Sequence, residues 1–250
     1  MLAVLPDICL SFDLDWATET MLEHLYGLLE HARLPVTLMC THDSPMVRHL
    51  MTLPGVQVGL HPNFMRGGDQ AEILKTLHAM FEDAVGVRAH GLFYHSGLLS
   101  LYRAAGMGFL STDLRLLHAD IVPFVGWGGL VRLPIYWEDD VHCFCMGDSF
   151  EIRTLRLEQT GLKVLNFHPV HLYMNTASLD DYQTNKERVR DPEHEASCRN
   201  LGKGIGTLFA ALLATVDPRR VIAMSAVALE ASLTPAPHLP DRPIPTADAA

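Results

Sequence analysis

Short, almost continuous apolar runs alternate with longer amphipathic segments along most of the chain. Such runs are typical of strands that are buried on both faces of a parallel sheet. The predicted strands are residues 8–13, 35–41, 56–60, 86–92, 106–113, 130–136 and 163–167, with one further candidate at 220–225. Between them, apolar residues recur at the spacing of a buried helix face. The predicted helices are residues 19–31, 70–82, 97–105 and 202–216, and Ser44-Pro45 begins a short one.

This alternation predicts a parallel sheet covered by helices, either as an open doubly wound sheet or as a closed barrel. The length of 250 residues and the apolar share of 48% fit one such domain, and we expect it to cover residues 1–232. Residues 233–250 are rich in Pro and Ala and should form a flexible tail, because they cannot bury enough surface to offset the entropy of ordering. The charged run 183–200 is interpreted as an exposed loop or a solvated helix face.

The composition argues against several kinds of partner and environment. A net charge of -10 disfavours nucleic acid, which is bound through clustered Lys and Arg. No apolar run is long enough to span a bilayer, and the N-terminus lacks the basic region of a signal peptide, so we expect a cytoplasmic protein. The 5 cysteines are odd in number and scattered, which disfavours a disulfide framework.

Residues that ionise or bind metals are concentrated at the carboxyl ends of the predicted strands, where functional side chains gather in parallel barrels. In chain order they are Asp13 and Asp15, His61 and Asn63, Arg88 and His90, residues 137–140, and His168 and His171. A single polar strand end would carry little weight, whereas five of them predict one shared site.

Asp13 and Asp15 are two positions apart, so in an extended backbone both side chains face the same way. Two carboxylates this close repel each other unless a cation neutralises them or one takes up a proton. This favours a site in which one carboxylate binds a metal ion and the other serves as a base. The structural alternative is that they cap the next helix or pair with Arg88.

Three histidines are candidates for the same site. A neutral imidazole at His61 suits a divalent metal such as zinc, and the nearby Asp15 favours this role over a purely structural hydrogen bond. Of His168 and His171, one can protonate a leaving group, while the other can hold substrate or only pack against its neighbours. Packing is the favoured role for His171.

The order of these motifs resembles that of the polysaccharide deacetylase (NodB-homology) family, over residues 8–176. SFDLD at 11–15 is similar to the first motif of the family, which implies that Asp13 is the catalytic base and Asp15 a metal ligand. VGLH at 58–61 is similar to the second motif, which implies that His61 is also a ligand.

The later motifs are similar as well. RAH at 88–90 is similar to the third motif, whose arginine, here Arg88, orients the base. Residues 137–140 loosely resemble the fourth motif, and LNFH at 165–168 is similar to the fifth, which implies that His168 is the general acid. The segments HPNF at 61–64 and FHPVH at 167–171 are most similar to the WbmS-like branch of the family, which is linked with surface-polysaccharide gene clusters.

The resemblance implies a fold, a cofactor and an activity. The fold is a distorted (β/α)₇ TIM-like barrel with parallel strands. The cofactor is one divalent metal ion, zinc in the first place, with iron, cobalt or nickel as alternatives. The activity is hydrolysis of an acyl group, above all N-acetyl, from an amino sugar that is a small molecule or part of a glycan.

One position departs from the family pattern. The second motif usually has another histidine four residues after the first, where this chain has Met65, a poor ligand for such a cation. The third protein ligand would then be His90, which we favour, or Asn63. Asn63 is otherwise expected to bind substrate.

The remaining candidates for substrate binding are Trp16 and Trp137, as an apolar wall for the acyl group or the sugar ring, and His171. Two other functions stay open at this point. The same residues can serve the hydrolysis of another non-peptide C–N bond, such as a formamide or a cyclic ureide. Met65 in place of a histidine also leaves open a catalytically inactive protein that only binds carbohydrate.

Overall fold

A curled, mostly parallel sheet forms the centre of the computed structural model, which describes residues 7–147 and 149–233. Its strands are β1 (Ile8–Asp13), β2 (Val36–Cys40), β3 (Val56–Leu60), β4 (Gly86–Val87), β5 (Phe109–Leu110), β6 (Phe124–Val125), β7 (Val131–Arg132), β8 (Trp137–Glu138) and β9 (Lys163–Phe167). The hydrogen-bonded order is β6-β7-β5-β4-β3-β2-β1-β9-β8, and only the β6–β7 pair is antiparallel. The predicted α/β class with a mostly parallel sheet is confirmed.

Helices cover the sheet and connect its strands. They are α1 (Glu19–Ala32), α2 (Pro45–Leu50), α3 (Gln70–Met80), α4 (Leu98–Ala104), α5 (Asp139–Cys145), α6 (Pro169–Met174), α7 (Leu179–Asn185), α8 (Ile205–Thr215) and α9 (Met224–Leu233). Polar side chains define several starting points, because the first backbone N–H groups of a helix lack partners within it. Thr18 accepts from Met21 N before α1, and Ser44 accepts from Val47 N before α2.

The strand β1 lies in the middle of the sheet, and all six of its residues are buried. It pairs in parallel with β2 on one side and with β9 on the other, in a register that sets Phe12 opposite Phe167. The rings of Phe12, Phe167 and Phe209 pack together beneath these strands. This packing fixes Asp13 and His168 next to each other at the same edge of the sheet.

One extended segment, residues 131–138, pairs with strands in both outer parts of the curled sheet. Its beginning, β7, pairs with β5, and its end, β8, pairs with β9. Between the two, Ile135 N donates to Asp113 O (2.8 Å) and Tyr136 N donates to Val164 O (2.9 Å). The two outer parts of the curled sheet are therefore linked through this segment.

The structure shortens several predicted strands. The strand predicted at 86–92 ends at Val87, because His90–Leu92 forms a 3₁₀ turn with Gly91 at a φ of 62°. The strands predicted at 106–113 and 130–136 keep two residues each of regular pairing, Phe109–Leu110 and Val131–Arg132. The further candidate at 220–225 is wrong as a strand.

At that candidate, Val221 makes an isolated bridge to Ile8 and Met224 already begins α9. The charged run 183–200 contains the end of α7 and two 3₁₀ turns, which are largely exposed but bury Val189 and Cys198. The predicted tail lies outside the described residues from position 234 onward, and the domain boundary at 232 stays a prediction.

All 5 cysteines carry free thiols. Among residues 7–147 and 149–233, we find no helix with the length and apolar character that crossing a bilayer requires. The cytoplasmic location stays a prediction.

Replacement of two glycines by alanine should change the free energy of unfolding in opposite directions. A Cβ at Gly204, which precedes α8, would collide with the Asn175 carbonyl oxygen at the end of α6. We expect Gly204→Ala to lower the free energy of unfolding by about 1–3 kcal/mol, because the two helix ends must move apart. A Cβ at Gly27, inside α1, would have nothing within 4 Å.

Gly27→Ala should therefore raise the free energy of unfolding by up to about 1 kcal/mol, since alanine loses less backbone freedom in a helix. Urea denaturation of the two variants and the parent protein measures both effects. Shifts of the same sign in the two variants would contradict this account of the packing.

Candidate active site

A small cavity with a volume of about 260 Å³ opens where the carboxyl ends of β1, β3 and β9 meet. The ionisable residues on its wall are Asp13, Asp15, His61, His90, Glu138, Asp140 and His168. Five of the residues that the sequence singled out therefore line one cavity. The concentration of acidic and imidazole groups distinguishes it from three other cavities of the described chain, which are lined mainly by helix and loop surfaces.

Asp15 lies just beyond β1, in a left-handed backbone conformation with a φ of 42°. The expectation of two carboxylates along an extended strand is wrong at this residue, because β1 ends at Asp13. The turn nevertheless brings Asp15 Oδ1 within 3.2 Å of His61 Nε2 and 2.9 Å of His90 Nδ1. One ligand-type atom from each of the three side chains lies within 4.8 Å of the other two.

The electrostatics of this group follow from its close contacts. Burial by itself raises the pKa of Asp15, but the contacts with His61 and His90 outweigh it and hold that pKa far below its ordinary value. The hydrogen bond to Asp15 in turn raises the pKa of His90. One carboxylate and two imidazoles that face one point are a donor set suited to a divalent cation such as zinc.

Met65 does not belong to this donor set. Its side chain is 64% exposed, and its sulfur lies against Gly91, beside His90. Asn63 is also turned away, since its Oδ1 accepts the backbone N–H of Met65 at 3.0 Å. Of the two residues considered for the third ligand, His90 is the one that lies with Asp15 and His61.

Asp13 lies deeper in the cavity and is held by Arg88. The Arg88 guanidinium is fully buried, and its Nη1 donates to Asp13 Oδ1 at 2.8 Å. It also donates to Ser11 Oγ and to the carbonyl and hydroxyl oxygens of Ser111. Burial raises the pKa of Asp13, but the charges of Arg88, His61 and His168 lower it below the ordinary value overall.

Asn166 joins Asp13 to a third carboxylate. Its Nδ2 donates to Asp13 Oδ2 (3.0 Å) and to Glu138 Oε1 (2.9 Å). Glu138 is buried on the cavity wall, and burial together with the charge of Asp140 raises its pKa to about 7. The amide therefore holds Oδ2 of Asp13, while Arg88 holds Oδ1.

His168 follows β9 and is held by Asp139. The contact between His168 Nδ1 and Asp139 Oδ1 is 2.6 Å, and the backbone N–H of His168 donates to Asp139 Oδ2 at 2.7 Å. The other ring nitrogen, Nε2, faces Asp15 Oδ2 at 4.0 Å. Burial lowers the pKa of His168, but the charge and hydrogen bond of Asp139 outweigh it and raise this pKa well above the ordinary value.

The four candidates for substrate binding lie in different surroundings, two on a groove and two in the interior. Trp16 and Asn63 line a groove beside the catalytic cavity. Trp137 is fully buried, donates to His142 Nδ1 (3.1 Å) and packs on Phe167, so its expected place on a substrate wall is wrong. His171 is buried behind His168, with its Nδ1 at 3.0 Å from Thr176 Oγ1, which is the packing arrangement favoured for it above.

Three residues of the site were missed by the sequence reasoning, namely Asn166, Glu138 and Asp139. Each lies inside a segment that had been singled out, at 137–140 or 165–168, but none had been given a role. Strand alternation contains the signal for Glu138, because Trp137 and Glu138 must face opposite sides of the sheet. The register that sets Glu138 opposite Asn166 is a long-range feature with no local sequence signal.

Comparison with known proteins identifies the class. The structure is similar to the crystal structure of WbmS from Bordetella bronchiseptica, described as a polysaccharide deacetylase involved in O-antigen biosynthesis, with a TM-score of 0.75 and 32% identity. The match covers 83% of this chain and 89% of that one. The 4-alpha-glucanotransferase from Thermococcus litoralis, at 12% identity and a TM-score of 0.53, shares the fold over 90% of this chain and 38% of its own.

A search of the curated proteins found no match. The model of the WbmS-like polysaccharide deacetylases matches residues 10–186, which include every ionisable residue on the wall of the cavity. The chain therefore belongs to the WbmS-like polysaccharide deacetylase family, and the resemblance seen in its motifs is confirmed. Membership of this family implies a hydrolase.

The pairing of His168 with Asp139 leads to a prediction for the metal-free protein. Asp139→Asn should lower the pKa of His168 by about one pH unit or more, because an opposite charge in contact raises the pKa of an imidazole by that order. Titration of the histidine ring signals by NMR measures the change.

Asp191→Asn is a matched control, since Asp191 makes a similar contact with His194 on the surface, at 2.8 Å. This control variant should leave the titration of His168 unaltered. An unchanged pKa of His168 in Asp139→Asn would contradict the proposed role of the buried pair.

Proposed function

We propose that this chain is a metal-dependent hydrolase that removes an acyl group, N-acetyl above all, from an amino sugar in surface-polysaccharide metabolism. One observation carries the proposal. A metal-type donor set, a carboxylate held by an arginine and an imidazole held by a carboxylate line the same small cavity. A base, an acid and a cation site are the groups that amide hydrolysis requires.

We also propose that the curled sheet is the distorted seven-stranded barrel that the family resemblance implies. Counting residues 131–138 as one strand, the parallel strands are β1 to β5, this segment and β9. The pairing of its two ends with β5 and β9 supports a closed arrangement. A barrel of this kind gathers the carboxyl ends of its strands around one mouth.

In this proposal Asp15, His61 and His90 hold the cation. Their donor atoms are one carboxylate oxygen and two imidazole nitrogens, which fits zinc, with iron, cobalt and nickel as alternatives. A cation bound there supplies a Lewis acid that polarises an acyl carbonyl. His90 takes the place that a second histidine of the loop after β3 would have held.

Asp13 is the proposed general base. Arg88 and Asn166 fix its two oxygens, and its lowered pKa keeps it ionised near neutral pH. An ionised carboxylate in this position can take a proton from the attacking water while the new carbon–oxygen bond forms. Rigid partners on both oxygens reduce the reorganisation that this step needs.

His168 is the proposed general acid. Its raised pKa means that it holds a proton near neutral pH, and Asp139 orients the ring so that Nε2 points into the cavity. When the carbon–nitrogen bond breaks, this proton passes to the departing amine, so that the products are a carboxylic acid and a free amino sugar. Net transfer of the proton from Asp13 to His168 then restores the ionised base and the protonated acid for the next turnover.

The two other functions make different demands on the same cavity. Hydrolysis of another C–N bond, such as a formamide, would use the same residues with a different substrate. A protein that only binds carbohydrate needs no acid and no base, and it would not explain why Asp139 and Arg88 are buried to hold His168 and Asp13. A panel of N-acyl sugars, formamides and cyclic ureides separates the two enzymatic possibilities.

The first test is the metal content of the purified protein. We expect about one divalent ion per chain, lost in His61→Ala, because removal of one of three protein ligands leaves too few to retain the ion. Met65→Ala is the matched control and should keep its ion, since Met65 is exposed and outside the donor set. Elemental analysis after incubation with zinc or iron gives the result, and a metal-free parent protein would end the metal-dependent proposal.

The second test concerns the acid and the base. Asp13→Asn and His168→Gln should each lower kcat for deacetylation by roughly 10²–10⁴-fold while the metal content stays at the parent level. His168→Gln is the more robust variant, because it leaves the buried pair of Asp13 with Arg88 intact. Full turnover in either variant would exclude that residue from the proposed step.

A further inference from the structure

A second cavity adjoins the catalytic one and shares His61 with it. Its volume is about 460 Å³, and it runs from the loop after β3 along one face of α3. Ile73 and Leu77 contribute an apolar wall, whereas Trp16 and Arg66 lie on its lining near the metal-type donor set. A substrate that places its acyl group in the catalytic cavity can extend into this groove.

Arg66 lies over the ring system of Trp16 in a cation–π contact. The guanidinium carbon of Arg66 lies 4.6 Å from the centre of the Trp16 ring system, and this ring packs edge-on against His90 at 5.1 Å. The Trp16 ring therefore lies between Arg66 and His90, one of the two histidines of the donor set. The N–H donors of a guanidinium lie in its own plane, so stacking on a ring leaves them free to bind a partner.

The carboxylates of the groove have other partners. Asp69 accepts the backbone N–H groups of Ala71 and Glu72 at the start of α3. Glu72 pairs with Lys75 at 3.6 Å. Within the described part of the chain, no carboxylate lies within ion-pair distance of Arg66, whose charge is consequently uncompensated.

The described lining of the catalytic cavity offers no unpaired arginine or lysine of this kind. Asp13, Asp15, Glu138 and Asp140 line it, and no Lys or Arg appears among its described lining residues. In the proposed function the cation, His168 and Arg88 already face these carboxylates, so no described cationic side chain is left there to bind an anionic substituent of the substrate. The groove beside it offers Arg66 as its only described Lys or Arg side chain.

We propose that Trp16 and Arg66 form a subsite for an anionic group, a carboxylate or a phosphate, that the substrate carries next to its N-acyl sugar. This inference rests on the proposed function and narrows its substrate class to acidic or phosphorylated amino sugars. Trp16 presents an aromatic edge to the sugar, and Arg66 binds the oxyanion through charge-assisted hydrogen bonds. Among the described lining residues of the two cavities, Arg66 is the unpaired arginine, so the anionic end of such a substrate lies in the groove and its acyl group in the catalytic cavity.

The test uses three N-acetylhexosamine derivatives: a hexuronic acid, its neutral carboxamide and a hexosamine 1-phosphate. With the metal-loaded parent protein, kcat/KM should favour one or both anionic compounds over the carboxamide. Arg66→Gln should raise KM for the favoured compound by about ten- to a hundredfold, the order expected for hydrogen bonds to a charged group. In the same variant, KM for the carboxamide should stay within about twofold of the parent value.

Arg153→Gln is the matched control, because Arg153 is exposed and lies on a different cavity. It should behave like the parent protein with all three compounds. The compound whose kcat/KM falls most in Arg66→Gln shows whether the oxyanion is a carboxylate or a phosphate. Equal effects on anionic and neutral compounds would overturn the inference.

Calorimetric binding separates this inference from the proposed function. The His168→Gln protein and the double variant with Arg66→Gln are titrated with the same compounds. Preferential binding of an anionic compound that disappears in the double variant supports the subsite even if no turnover is found. Turnover of the neutral compound alone, without such a binding preference, would overturn the subsite and leave the proposed hydrolase standing.

Discussion

The buried guanidinium of Arg88 is the constraint on which the rest of the site depends. An arginine cannot shed its proton at any ordinary pH, so a fully buried guanidinium must have an anionic partner and further acceptors. Asp13 is that partner, and Ser11, Ser111 and Asn166 supply the acceptors. These residues come from β1, from the end of β5 and from β9, so the ion pair also links separate strands of the sheet. The ionised state of Asp13 and the stability of the fold are therefore parts of one arrangement.

The same logic divides the carboxylates of the cavity by environment. Asp13 is held by a cation, Asp15 faces two imidazoles, and Asp139 is buried against His168. For Glu138, burial and the charge of Asp140 outweigh the charges of His168 and Arg88, so its pKa rises where those of Asp13 and Asp15 fall. Groups of one chemical type thus acquire different protonation states from their partners alone, which is how a hydrolase keeps an acid and a base side by side.

The sequence predicts the central part of this arrangement well, because β1, β3 and β9 are apolar runs that end in polar residues. Position at the strand ends was enough to find Asp13, His61 and His168. The sequence predicts the short strands to be longer than they are, because Gly91 and the turns around it interrupt strand pairing and apolar content does not reveal this.

The errors at the site have related causes. Trp137 was assigned to the substrate because aromatic rings often line sugar sites, but it lies on the core side of β8 while Glu138 takes the cavity side. Asn166 and Asp139 depend on how β8 pairs with β9 and on where α5 begins. Both are set by contacts between distant parts of the chain.

The exchange of a histidine for Met65 has a consequence for how such an enzyme can diversify. With His90 as the proposed third ligand, the loop after β3 would not have to supply a second one, so an exposed side chain such as Met65 can vary, while the Pro62 carbonyl oxygen still holds the backbone N–H of His90. Substrate preference can then change through the side chains of a loop whose backbone continues to support the reactive centre.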